Sequence, residues 1–247
     1  MPSGGPAPGA ASGVLHWRGV ADPADCARWQ ALAEAALAAA AREVSAGQPG
    51  TFVWPCSLAL DRLPGLLEAL RHCLEGHAGI AAMLEAALGP ATLLTDQCFV
   101  RHQPAPAHRR GRQAPHVWHQ DGALGFDFLA AGAPPFPADA LLEMQICWMP
   151  LTPFGDAAPS LGWIDPPAPA LLPPSALNDE SLEGHLSGLG LAPRRRSATV
   201  AAGDVLQFDG ATVHRTHATP AMHHDRTSIE LRWLRAGPRP ARLVARC

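Results

Sequence analysis

Apolar and polar positions along this chain keep one rhythm up to about residue 90 and another after it. The Ala-rich stretch ARWQALAEAALAAAAREV predicts a helix. Asp22-Pro23-Ala24-Asp25 ahead of it reads as the start: Asp22 caps, Pro23 fits the first turn, and Asp25 favours the positive end of the helix dipole. That helix is expected to end near Gly47, and two more are predicted over 63–75 and 80–88, closed by Gly89-Pro90. Beyond Pro90, TLLTDQCFVRH alternates and is rich in Thr, Val and Phe, which predicts a strand over 92–102. HVWHQDG, EMQICWMPL, SATVA, DVLQFDG and TSIELRWLR are further predicted strands, separated by Pro/Gly-rich loops at 103–116, 131–139 and 165–175. Many short strands without βαβ alternation predict an antiparallel sandwich or barrel. The expected organisation is a disordered tail over 1–13 and one domain over 14–247. Within that domain a helical shell (14–90) precedes a β core (91–236) and a short tail (237–247).

Composition narrows the chemistry. A chain of 247 residues, 47% of them apolar, supports one large domain. A formal charge of -3 gives no reason to expect nucleic acid or a membrane surface as partner. All 19 basic residues are arginine and tyrosine is absent, which excludes a Schiff-base lysine, a P-loop lysine and a tyrosine acid or base. The six cysteines lack CxxC or zinc-ribbon spacing and are expected to be buried free thiols. There is no basic-then-apolar leader, and no apolar run reaches the ~18 residues of a membrane span. A cytoplasmic monomer or homodimer acting on a small molecule is the resulting expectation.

The candidate chemistry centres on Trp118-His119-Gln120-Asp121-Gly122. In extended backbone, His119 and Asp121 project from the same side. A third ligand is offered by His214 in GDVLQFDGATVHRT, where an apolar strand and a short turn end on histidine. Two imidazoles and one carboxylate with open positions suit non-haem Fe(II). His217, His223 and His224 are rivals for the third place, but His214 alone ends an apolar strand. Arg226, twelve residues after His214, can fork onto a carboxylate of a cosubstrate, and Thr216 can add a hydroxyl. Arg232 lies on the same face of an ideal strand and is the rival anchor.

WHQDG, ICWMPLTP, GDVLQFDGATVHRT and RTSIELRW, in that order over roughly residues 88–235, resemble the phytanoyl-CoA dioxygenase family of Fe(II)- and 2-oxoglutarate-dependent oxygenases. The resemblance implies a double-stranded β-helix (jelly-roll, cupin-like) core that uses O2. It implies Fe(II) on His119, Asp121 and His214, with Arg226 and Thr216 on the distal carboxylate of 2-oxoglutarate and Trp148 lining its pocket. The carboxylate of Asp121 favours hydroxylation over halogenation, since halogenating members carry a small residue there.

The chain departs from the family in three places. Arg101-His102-Gln103-Pro104 replaces a lysine followed by prolines; Arg101, expected to share a strand face with Gln97 and Phe99, is the favoured substitute. SLGWIDPP replaces the family's usual central loop, and the Arg226 spacing is one residue longer, which a bulge at Met222–His224 would absorb. Trp118, Gln120, Phe126 and Phe128 are candidate substrate contacts. HRRGRQAPH at 108–116 and PRRR at 193–196 read as solvated basic runs. The alternative is a metal-binding barrel without oxygen chemistry, an isomerase, hydrolase or sensor holding Mn, Ni or Zn.

Overall fold

The computed structural model describes residues 13–45, 57–109, 114–126, 135–137 and 139–243. Phe128, Cys56, Cys247 and the first twelve residues lie outside that set. In chain order the elements are β1 (Val14–Trp17), α1 (Pro23–Ser45), β2 (Ser57–Ala59), α2 (Pro64–Gly76), α3 (Ala78–Leu88), β3 (Ala91–Leu93) and β4 (Phe99–Gln103). There follow β5 (Met144–Pro150), β6 (Ser160–Asp165), α4 (Leu182–Gly188), β7 (Arg194–Ser197), β8 (Val205–Asp209), β9 (His214–His217) and β10 (Arg226–Arg235). At the head of α1, Asp22 Oδ1 accepts from the Asp25 amide at 2.8 Å, an N-cap of the expected kind.

The strands form two antiparallel sheets. The larger runs β1-β8-β5-β10-β4-β2, with β3 beside the end of β10; the smaller runs β7-β6-β9. A reciprocal backbone bridge between His119 and His214 extends the smaller sheet by one residue. The two faces make a jelly roll, and α1, α2 and α3 cover the outer face of the larger sheet.

Strand β5 shows why the layers hold. It lies in the middle of the large sheet and all seven of its residues are buried, because both faces are covered. Met144, Ile146 and Trp148 join Leu161, Trp163, Leu206 and Phe208 between the sheets. Cys147 and Met149 turn outward onto Leu66, Leu70, Leu74 and Ile80 of the helices. Fully burying a side chain such as Leu70 contributes roughly 1.5–3 kcal/mol.

Strand β10 alternates in the same way with a different result. Ile229, Leu231 and Trp233 pack on the helices. Arg226, Ser228, Glu230 and Arg232, one register apart, are turned to the other face of the sheet. Four buried polar side chains on one strand face are costly unless they serve each other or a ligand.

Several expected elements differ. TLLTDQCFVRH is not one strand: a 3-10 turn at Thr95–Gln97 divides β3 from β4, and both halves pair with β10. WHQDG is not a strand beyond the single bridge at His119, since Asp121–Ala123 closes into a 3-10 turn. SATVA contributes only Ser197 to β7, while Val200 bridges Phe154. Strand β7 is instead built from Arg194-Arg195-Arg196, whose exposed side chains are tolerated because the strand is an edge. Strands β1, β2, β6 and β9 and helix α4 have no counterpart among the expected elements. Met222–His224 is not a strand bulge; it lies in the turn over 218–225, with the amides of His223 and His224 both on the Ala157 carbonyl at 2.9 Å. Cys26, Cys98 and Cys147 are buried free thiols and Cys73 is partly buried. Among the described residues no helix is long and apolar enough to cross a membrane.

Candidate metal centre and its cavity

The pairing of His119 with His214 sets the site. Each donates its amide to the other's carbonyl at 3.0 Å, so their side chains leave the sheet from the same face. The ring centroids lie 4.1 Å apart. The turn carrying Asp121 is pressed onto the β8–β9 turn by two glycines. A Cβ on Gly122 would sit 2.8 Å from the Gly210 carbonyl oxygen and 2.3 Å from Leu141, so only glycine allows this approach. Asp121 Oδ1 then lies 3.6 Å from His119 Nε2 and 3.9 Å from His214 Nε2. One ligand atom from each of the three buried residues falls within 4.8 Å of the others.

The hydrogen bonds behind these side chains fit a metal. His119 Nδ1 donates to the Val117 carbonyl at 2.7 Å and His214 Nδ1 to the Thr212 carbonyl at 2.9 Å. A carbonyl only accepts, so both protons sit on Nδ1 and both Nε2 lone pairs face inward. Burial, then the neighbouring His116 and His214, push the His119 pKa well below the ordinary imidazole value, keeping it neutral. Asp121 Oδ2 is held by Arg232, whose Nε and Nη2 both lie at 2.9 Å, while Oδ1 faces the imidazoles.

The cavity holding the triad is also lined by Arg101, His116, Trp148, Thr216, Arg226 and Glu230, among others. Arg226 is 3% exposed and makes no ion pair among the described residues. Its Nη1 donates to the carbonyls of Pro159 and Ser160 at 3.2 and 3.4 Å, and the group stacks 4.9 Å from the Trp148 ring centre. Its Nε is buried without a partner. Burial lowers its pKa to about 10, so the guanidinium is still charged at neutral pH. A lone buried cation is expensive, and this one points to an anionic ligand. Arg232 is not free for that role: besides Asp121 it binds Glu230 Oε2 at 2.8 Å and the Gln97 carbonyl at 2.7 Å.

Other expected contacts lie elsewhere. Gln97 sits in the 3-10 turn outside the cavity and does not share the Arg101 face. Gln120 turns away: its carboxamide binds the carbonyls of Ala170 and Ala211 at 2.9 and 2.7 Å and the Leu172 amide at 2.7 Å. Trp118 is 3% exposed, donates to Asp179 at 3.0 Å and packs on Ile164, Leu172 and Val213, beside the outer mouth of the cavity. Phe126 stacks on Phe136 at 5.2 Å with Arg242 over its ring at 4.4 Å, outside the cavity lining. His217 is half-buried, His223 and His224 are exposed, and none of the three lines the cavity. Because the Gln120 amide staples three interior backbone groups, Gln120→Leu is expected to cost about 3 kcal/mol or more of stability, at roughly 1–3 kcal/mol for each unpaired group. Urea unfolding measures this, and a loss below about 0.5 kcal/mol would show that the amide is no staple.

His116 and Glu230 also line the cavity and have no counterpart among the expected residues. Burial lowers the His116 pKa to about 4; its Nδ1 lies 2.9 Å from His119 Nδ1. Glu230 lies 2.7 Å from Arg101 Nε as well as on Arg232, and these two guanidinium groups hold its pKa down at about 2 despite burial. A signal for Glu230 was present, since a carboxylate between Ile229 and Leu231 on a buried strand must face something. His116 carries no such signal in a Pro/Gly-rich loop.

No protein-family model matches the chain, and no curated protein matches it. Solved structures do. EctD from S. alaskensis with bound Fe is similar at a TM-score of 0.64 and 16% identity, over 91% of this chain and 73% of that one. AviO1 from Streptomyces viridochromogenes Tue57 is similar at 0.59 and 19%, over 93% and 94% of the two chains. The non-heme alpha-ketoglutarate-dependent epimerase SnoN from nogalamycin biosynthesis is similar at 0.58 and 19%, over 91% and 79%. At these identities the likeness is one of fold.

Proposed function

We propose that the chain is a non-haem Fe(II)- and 2-oxoglutarate-dependent oxygenase that hydroxylates, or otherwise oxidises, a C–H bond of a small molecule. The observation that carries this reading is Arg226, a buried guanidinium without a carboxylate partner in the same cavity as a His–Asp–His set whose lone pairs are already turned inward. Plain metal barrels that isomerise or hydrolyse have no need of such an anchor. The described fold of an Fe-bound protein and of an alpha-ketoglutarate-dependent enzyme supports it.

On this reading His119, Asp121 and His214 hold Fe(II). Arg226 neutralises the distal carboxylate of 2-oxoglutarate with Thr216 beside it, and Trp148 and Arg101 wall the pocket. Iron with 2-oxoglutarate and O2 supplies an oxidant able to take hydrogen from an unreactive C–H bond. The protein's part is orientation and dryness. Ile146, Leu161 and Phe208 exclude water on the inner side, and the mouth near His116 and Arg215 is the side from which substrate approaches. A carboxylate at Asp121, where a halogenating enzyme would need a small side chain, favours hydroxylation or another C–H oxidation over halogenation.

An anaerobic titration tests this. Fe(II) and 2-oxoglutarate together should give a weak visible charge-transfer band that neither gives alone and that a chelator removes. Tight Fe(II) binding with no band on adding 2-oxoglutarate would favour a non-oxidative metal barrel instead.

A further inference from the structure

The two interior arginines of β10 stand six residues apart on one face, yet they meet different surroundings. Arg226 has no anionic partner among the described residues, whereas Arg232 spends its fork on Asp121 Oδ2, with Nε and Nη2 both at 2.9 Å. Arg232 is itself pinned on two further sides, by Glu230 Oε2 at 2.8 Å and by the Gln97 carbonyl at 2.7 Å. Glu230 in turn lies 2.7 Å from Arg101 Nε, which reaches Ser57 Oγ at 3.3 Å through Nη1. The result is a chain of alternating charge, Asp121–Arg232–Glu230–Arg101, running from the triad to a partly buried arginine in the lining of the same cavity.

A carboxylate on a flexible side chain can chelate a cation with both oxygens or swing away from it. Here the planar fork of Arg232 matches one oxygen and fixes the plane of the group, leaving Oδ1 as the donor. We infer that Arg232 is a positioning residue for the metal: it sets Asp121 to bind through Oδ1 alone, and Glu230 holds Arg232 in that setting. This rests on the reading of the triad as a metal centre. It goes beyond it by giving the second arginine a task on the metal side, separate from that of Arg226.

Charge alone makes the opposite prediction. A guanidinium beside a cation site repels the cation, so Arg232→Met should tighten metal binding if Arg232 acts only as a charge. Positioning predicts weaker binding for Arg232→Met and also for Arg232→Lys, which keeps the charge but loses the fork. Loss of an outer-shell partner typically weakens metal affinity ~10–100-fold.

The test uses the full chain stripped by a chelator and titrated with Mn(II), followed by electron paramagnetic resonance without 2-oxoglutarate. Both Arg232 variants should bind Mn(II) about 10–100-fold more weakly than wild type. Folded Arg232→Met or Arg232→Lys with wild-type or tighter affinity would overturn the proposal. Asp121→Ala is the control. Undiminished Mn(II) binding there would overturn the metal-centre reading and this proposal with it; loss there alone overturns only this proposal. Should both Arg232 variants fail to fold, the wild type decides. Infrared difference bands from isotopically labelled aspartate on adding Mn(II) should report single-oxygen ligation, and chelation by both oxygens would overturn it.

Discussion

Asp121→Ala is expected to reduce Fe(II)-dependent succinate formation from 2-oxoglutarate to background. Two effects add. The substitution removes the one anionic donor of the set, leaving two imidazoles. It also strips Arg232 of the oxygen that both Nε and Nη2 hold at 2.9 Å, so a positive charge balanced only by Glu230, which Arg101 shares, now faces the cation. Metal affinity should therefore fall by more than the ~10–100-fold that follows loss of an outer-shell partner. Succinate measured with saturating Fe(II), 2-oxoglutarate and ascorbate checks this. Turnover near the wild-type rate would sink the assignment of Asp121 as a ligand.

The second large effect concerns Arg226 and has two opposite signs. Arg226→Met should raise the 2-oxoglutarate concentration needed for half-saturation from about 30-fold to a few thousand-fold. That is the equivalent of the 2–5 kcal/mol lost when one member of a buried charged pair is truncated. The same change should leave the ligand-free protein as stable as wild type or more so. In that state the guanidinium is buried with an unpartnered Nε and no carboxylate, so its removal relieves a desolvation cost. A melting temperature that holds or rises, with 2-oxoglutarate affinity collapsing, is the expected pair of results. Destabilisation with undiminished 2-oxoglutarate binding would make Arg226 a structural residue and remove the main support for the oxygenase reading.

Much of the architecture was legible in the residue pattern. Helix starts with Asp or Pro, and long buried strands such as EMQICWMPL, carry local signals that tertiary contacts reinforce. The missed strands are short or atypical. SLGWID in β6 holds a glycine and is followed directly by two prolines, and β7 is a run of arginines, so neither has the apolar alternation that marks a strand. The break in TLLTDQCFVRH has a tertiary cause: the Leu94 amide binds the Arg232 carbonyl at 2.9 Å and the Arg232 amide reaches Cys98 Sγ at 3.4 Å, contacts with a distant strand that no local pattern contains.

The candidate site divides along the same line. His119, Asp121, His214, Arg226 and Thr216 are singled out by residue type and spacing, Trp148 and Arg101 by the family resemblance, and all seven line one cavity. Their binding roles are the proposal tested above. Which of Arg226 and Arg232 is already committed was not legible, because the answer depends on where a residue 111 positions away folds back. Gln97 and Gln120 were misplaced for a related reason. A 3-10 turn rotates side chains off the alternation that an extended strand would impose, and a carboxamide satisfies interior backbone as readily as a substrate.

Among the described residues strand β7 pairs only with β6, which leaves its far side an open row of backbone donors and acceptors. An uncharged segment there would invite a strand from another molecule to add on, the first step of fibre-like association. Three successive arginines line this edge; Arg195 is committed to Asp179 and Glu183, and Arg194 and Arg196 keep exposed charge along it, which disfavours docking of a second copy. The open end of the jelly roll is guarded by charge, and neutralising Arg194 and Arg196 together should raise the tendency of the chain to self-associate.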